Sequence, residues 1–169
     1  MKKRIIIISL AVVFIGLGLT FALHKGASRG TVYLEPPSLS IQRGQELSIN
    51  ITVEPAGWGV SGCEVNLTFN SSVLQGVSIE VGGFLGSSPL IGLEDIDNQA
   101  GVVRLIMARI GSTTTPSPPG VLATVNFRVS DSAESGTYEL KLTNVGLANE
   151  DFEDVTDFTV RGTNLTVSP

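Results

Sequence analysis

A chain of 169 residues with 42% apolar and 16% charged residues is long enough for one compact domain of ordinary size and too short for two full ones. Five of its 11 cations and none of its 16 acids fall in the first thirty residues, which leaves the rest with six cations and a formal charge of −10. A surface of that sign repels nucleic-acid phosphates and anionic lipid, and a single cysteine, Cys63, cannot close an intrachain disulfide.

Lys2, Lys3 and Arg4 precede an apolar run from Ile5 to Leu23. A basic start followed by 19 apolar or small residues is a membrane-targeting segment, longer than the usual signal-peptide core and close to a helical span. Residues 1–30 are therefore read as a signal peptide or a signal anchor, with the membrane contacted through residues 5–23. The positive-inside rule puts everything after Gly30 outside. The domain is expected at the outer face of the cell membrane, or secreted if the leader is cleaved.

Residues 31–169 show short alternating runs punctuated by Gly, Pro, Asn and Asp, with no helical period. Thr31 to Glu35 is a first strand, stopped by Pro36-Pro37, and Gln42 to Gln45 is a turn. Leu47, Ile49, Ile51 and Val53 alternate with polar residues and give the clearest half-buried strand. The next strand buries Cys63, Val65, Leu67 and Phe69 and exposes Glu64, Asn66 and Thr68, and Asn70-Ser71-Ser72 turns the chain before Val73-Leu74 re-enters the core.

Val77 to Val81 continues, with Phe84 and Leu85 covering one end of the core. Ile91 to Asp97 is a weaker strand joined through the Asn98–Gly101 turn to a strand from Val102 to Ile110, in which Arg104, Ile106 and Ala108 face outward. The Ser/Thr/Pro-rich stretch between Gly111 and Gly120 is too polar for a sheet and is expected to loop out as a mobile segment. Strands through Val121–Val129, Tyr138–Leu142 and Phe158–Val167, the last bent at Gly162, complete the chain. About nine short strands predict an all-β, two-sheet antiparallel jelly-roll sandwich.

The only histidine, His24, lies beside the apolar run, so residues 31–169 hold no imidazole for a general base, a nucleophile relay or a zinc site. Carboxylates for a glycosidase pair exist, Glu64, Asp95, Asp97, Asp151 and Asp154 among them, but they read more simply as charges that keep a strand edge soluble. The acidic stretches starting at Asp95 and at Asn149 both fail the EF-hand spacing. No catalysis and no cofactor are expected. Asn50, Asn66, Asn70 and Asn164 stand in glycosylation sequons, in keeping with export.

Ile106 on an outward strand face, and Phe152 inside Asn149-Glu-Asp-Phe-Glu-Asp154, are large apolar side chains in places that ought to be wet. With acids and an arginine around them, they read as the apolar centre and polar rim of an interface. Trp58 in a glycine loop, with Tyr33, supports an alternative in which a carbohydrate-binding or adhesive sandwich stacks these rings on a polysaccharide.

From Thr31 to Val167 the order of features resembles the cellulosome-type cohesin modules. The likeness is carried by the Gly62–Leu74 strand and corner, Gly101-Val-Val-Arg-Leu-Ile-Met-Ala108, Gly120 to Val129, Val145 to Phe152 and Gly162-Thr-Asn-Leu-Thr-Val167. The resemblance implies capture, without catalysis, of a dockerin, a calcium-loaded helical module of another protein. It also implies a partner site of Gly62, Glu64 and Asn66 on the third strand, Asp95 and Asp97 on the fifth, and Arg104, Ile106 and Ala108 on the sixth. Phe152 and Asp154, beyond the eighth, complete it. Asn70-Ser71 stands where many members have Asp-Pro, and Arg104 where an aliphatic residue is common, which leaves room for a partner unlike cellulosomal dockerins.

Overall fold

The computed structural model describes residues 29–169. The leader assigned to residues 1–30, including the apolar segment 5–23, lies outside the described residues but for its last two. Eleven strands follow in chain order: β1 (Gly30–Glu35), β2 (Ser38–Gln42), β3 (Glu46–Glu54), β4 (Gly62–Thr68), β5 (Leu74–Val81), β6 (Leu90–Asp97), β7 (Val102–Ala108), β8 (Gly120–Val129), β9 (Gly136–Ala148), β10 (Phe158–Arg161) and β11 (Thr163–Ser168). They form a five-stranded sheet, β10-β1-β3-β8-β5, packed on a six-stranded sheet, β2-β11-β9-β4-β7-β6.

The alternation read from the sequence is what builds the core. Ile49, Ile51 and Val53 of β3 and Val125, Phe127 and Val129 of β8 meet Val65 and Leu67 of β4, Val103 and Leu105 of β7 and Leu165 of β11, all fully buried. Phe69 and Phe127 stack edge to face with ring centroids 5.1 Å apart. Apolar area removed from water on both inner faces at once is the driving force that selects two layers over one wide sheet. Phe84 and Leu85 close one end, both buried.

The corner after β4 is held by its asparagine. The Asn70 carboxamide oxygen accepts from the Ser72 backbone N–H at 2.9 Å while its carbonyl accepts from Val73 and Leu74, a local geometry that Asn forms readily.

Two features correct the expectation of nine antiparallel strands. Pro36-Pro37 does not simply end a strand: it carries the chain from one sheet to the other, so that β1 and β2 lie in different layers, and Gly162 does the same between β10 and β11. A Cβ at Gly162 would lie 2.3 Å from the Leu140 carbonyl oxygen, so the crossing needs glycine. The two crossings run side by side. β1 therefore pairs parallel with β10 and β2 parallel with β11, tied by the Thr163 hydroxyl donating to the Pro36 carbonyl. All other pairings are antiparallel.

The segment 111–119 stays out of both sheets, as expected, but it is not a free loop. Ser117 is buried, its N–H donates to the Trp58 carbonyl at 2.9 Å and its hydroxyl oxygen accepts from the Val60 N–H at 3.0 Å. Pairing with backbone groups that would otherwise be orphaned outweighs the polarity of the segment.

Candidate functional site

The outer faces of the two sheets differ in kind. On the five-stranded sheet, Ser48 donates to Asn126 at 2.6 Å, Thr124 to Asn50 at 2.8 Å and Asn126 to Ser78 at 3.0 Å. Its short polar side chains satisfy one another. On the six-stranded sheet the register sets small and apolar side chains side by side.

That register can be read across the strands. Ala108 of β7 faces Leu90 of β6 on one side and Gly62 of β4 on the other, and Gly62 faces Ala148 of β9. The neighbouring row runs Leu93, Ile106, Glu64, Gly146, and the next Asp95, Arg104, Asn66, Thr143. Leu90, Leu93 and Ile106 are 61%, 37% and 42% exposed, forming a greasy strip over the β6–β7 edge. Gly62, Ala108, Gly146 and Ala148 leave a shallow open trough of about 300 Å³ beside it, with Ile106, Glu64 and Asp154 along its walls.

All ten residues expected at a partner site lie on this face or at its border. Gly62, Glu64, Asn66, Arg104, Ile106 and Ala108 occupy facing positions of β4 and β7. Asp154 bridges to Ala148 beyond the end of β9, which extends the first row by one position. Phe152 projects from the loop before it with 89% of its surface exposed. The loop is shaped by Asn149, whose carboxamide oxygen accepts from the backbone N–H groups of Asp151 and Glu153, both at 2.9 Å, and Phe152 adopts a left-handed φ of 62°. An aromatic side chain in that conformation, with no packing to hold it there, is displayed and not stored.

Ile106 and Phe152 do not touch as a pair. The β7 strand and the Asp154 segment are three strand spacings apart, about 14 Å, so Ile106 finds its apolar neighbours in Leu90 and Leu93 instead. Those two leucines are absent from the sequence-derived site. The run Leu90-Ile-Gly-Leu93 held the signal, but a β-bulge at Gly92, where the register shifts between Ile91 and Leu93, is what turns both leucines to one face.

The acids divide into committed and free. Arg104 binds Asp95 at 2.7 Å and reaches Asp97 at 3.7 Å. Asp97 also accepts from the backbone N–H groups of Ala100 and Gln99. Chiefly through those two bonds, with Arg104 adding to them, its carboxyl is held below the usual aspartate value. It works first as the clamp of the β6–β7 hairpin. Glu64 accepts from the side chain of Asn144, a residue at the β9 bulge with a φ of 47° that sequence reasoning did not single out. Among the described residues no group of three or more His, Cys, Asp or Glu side chains is placed to hold a metal ion.

Cys63, on the inner side of β4, is buried, and burial pushes its thiol up to about 12. Tyr33 and Trp58 do not make one stacking platform. Trp58 sits in the loop after β3, 41% exposed, whereas Tyr33 lies on the outer face of β1 with the Arg161 guanidinium 5.0 Å over its ring.

A two-layer β-sandwich that gathers exposed apolar side chains into adjacent rows of one sheet has the build of a recognition module. The chain belongs to the cohesin domain family, whose model matches residues 33–165. Its fold is shared with the third cohesin of ScaC from Acetivibrio cellulolyticus, solved in complex with the ScaB dockerin (17% identity, TM-score 0.70, 83% of this chain and 99% of that one). It is shared also with a non-cellulosomal cohesin from the hyperthermophilic archaeon Archaeoglobus fulgidus (16%, 0.68, 83% and 92%). A type II cohesin domain from the cellulosome of Acetivibrio cellulolyticus is similar as well (15%, 0.68, 81% and 95%). At these identities the likeness is one of fold. No curated protein matches the chain.

Proposed function

We propose that this protein is a non-catalytic receptor module, exported and tethered to the membrane through residues 5–23, that captures a dockerin-type calcium-binding module on the outer face of its six-stranded sheet. The observation that carries the reading is the strip of Leu90, Leu93 and Ile106, exposed beside a trough floored by Gly and Ala. Apolar surface of that kind on a rigid sheet loses free energy when a partner covers it, and membership of the cohesin family supplies the kind of partner.

In this reading the strip forms the buried centre and Phe152 an outlying anchor. Glu64, through the carboxylate oxygen that Asn144 leaves unbonded, orients the partner together with Asn66 and Asp154, with Gly62 and Ala108 permitting close approach. Arg104 offsets one of the two charges of Asp95 and Asp97, so a partner meets less repulsion at that border than the number of acids suggests. The partner's calcium enters only through the partner, because dockerin-type loops fold when their calcium is bound.

The test is calcium-dependent capture. The chain, immobilised, is exposed to the exported proteins of its own cell with calcium and then with a chelator, and the retained proteins are sequenced. Retention of dockerin-bearing proteins that chelation releases is the expected result. Retention indifferent to chelator, or of proteins lacking dockerin loops, would remove the dockerin reading. A titration with soluble glycans, followed by Trp58 fluorescence, is expected to give no response.

A further inference from the structure

Strand directions gather one set of loops at one end of the sandwich. The β3–β4, β5–β6, β7–β8 and β9–β10 connections all lie there, and so does Gly30, because β1 runs antiparallel to β3 with Thr31 opposite Glu54. Hydrogen bonds join these pieces into one surface. Gly30 N–H donates to the Asp157 carbonyl at 3.2 Å and Ser117 N–H to the Trp58 carbonyl at 2.9 Å. Thr113 N–H donates to the Glu150 carboxylate at 3.0 Å and Arg109 to the Phe84 carbonyl at 2.8 Å. Arg29, the first described residue, pairs with Asp157 at 3.1 Å.

This end displays apolar side chains that the docking face does not use. Ile110 is 70% exposed, Trp58 41% and Val81 38%. The chain arrives at the same end from its apolar segment: Leu23 and Arg29 are separated by only five residues, a reach of roughly 20 Å even when fully extended. A tryptophan ring with an apolar body and a polar N–H is suited to the headgroup layer of a bilayer.

We propose that this loop end rests on the bilayer that receives residues 5–23, with Trp58 and Ile110 seated among the headgroups. The inference depends on the tether in the proposed function and goes beyond it: the module stands with its strands along the membrane normal, held by contact as well as by the chain. The Leu90–Ala108–Gly62–Ala148 row is then nearest the membrane and the docking face looks sideways, with Phe152, on the β9–β10 connection next to that row, at the edge between the two surfaces. The charges of this end set the lipid class. Glu54, Glu150, Asp151, Glu153 and Asp157 outnumber Arg29 and Arg109, so the surface suits a zwitterionic bilayer and is repelled by an anionic one.

Trp58 is the only tryptophan, so fluorescence reports this one place. The full chain is reconstituted into phosphatidylcholine vesicles, plain or brominated near the glycerol end of the acyl tails, and floated on a density gradient. Trp58 emission is expected to be lower in the brominated than in the plain lipid, because a ring at headgroup depth lies close to the bromines, and to recover when phosphatidylserine is mixed in at low salt. Ile110→Asp, on a side chain exposed enough to leave folding intact, should restore the emission while the chain still floats. Floating chain with equal emission in both lipids would overturn the contact and leave the tether standing. Quenching that survives Ile110→Asp would mean nearness imposed by the short connection alone, and would overturn it too. A chain that fails to float would remove tether and contact together, without touching dockerin capture, which is measured separately.

Discussion

Replacing Leu90, Leu93 and Ile106 by alanine asks how much of the docking energy the strip carries. Each change removes three carbons, worth about 2.4 kcal/mol if all their surface passed from water into an interface. Only the part exposed in the free module can be newly buried. Scaling by 61%, 37% and 42% exposure gives about 1.5, 0.9 and 1.0 kcal/mol. The triple variant should therefore bind about 300-fold more weakly, since 1.4 kcal/mol is a factor of ten. The remaining surface already packs against the sheet, so the same changes also cost stability, and unfolding in denaturant must first show a cooperative transition at the assay temperature. Titration calorimetry against purified, calcium-loaded dockerin modules gives the dissociation constants. Val77→Ala is the control, because Val77 is 55% exposed but sits on β5 of the other sheet. Phe152→Ala should cost about 2 kcal/mol, as an exposed aromatic anchor does, and its effect should add to that of Ile106→Ala within about 0.5 kcal/mol, as for sites beyond contact range. A folded triple variant that binds as tightly as the parent, or a Val77→Ala variant as impaired as Leu90→Ala, would refute the assignment of the face.

Three further outcomes follow from the fold. Cys63 should resist thiol reagents at mildly alkaline pH until the domain opens, so its labelling rate in increasing denaturant should track unfolding; fast labelling of the native protein would show that β4 is less closely covered than described. Because its thiol is raised from the usual value of about 8.5 to about 12, its contribution to stability is complete below the lower figure and is lost as pH rises between the two. Asp97 has the opposite sign: its lowered carboxyl stabilises the fold above the ordinary aspartate value, near pH 4, and the benefit disappears as pH falls through the lowered one. The stability gap between wild type and Asp97→Asn should thus be widest at neutral pH and close in acid, and a gap independent of pH would dismiss the clamp. Gly162→Ala should destabilise by about 1–3 kcal/mol, as overpacking does, since the new methyl meets the Leu140 carbonyl, whereas Gly83→Ala, with nothing within 4 Å, should be nearly neutral in thermal unfolding.

Period-2 alternation was enough to identify the β-class, the inward sets on β3, β4, β7 and β8 and the outward turn of Arg104, Ile106 and Ala108, because a strand's pleat is local and binds residue parity to one face or the other. The acid-rimmed positions of β4 and β7 were legible for the same reason. The sheet crossings at Pro36-Pro37 and Gly162 were not. Each looks from the chain like a stop or a bend, and only the parallel pairing of β1 with β10 and of β2 with β11, residues more than a hundred positions apart, makes it a change of layer. Likewise Leu90 and Leu93 joined Ile106 only through a bulge at Gly92. The spacing between Ile106 and Phe152 was set by two strands that neither residue belongs to. Which side chains face out is written along each strand, but which of them become neighbours depends on register and strand order, and these are chosen by burying both inner faces together.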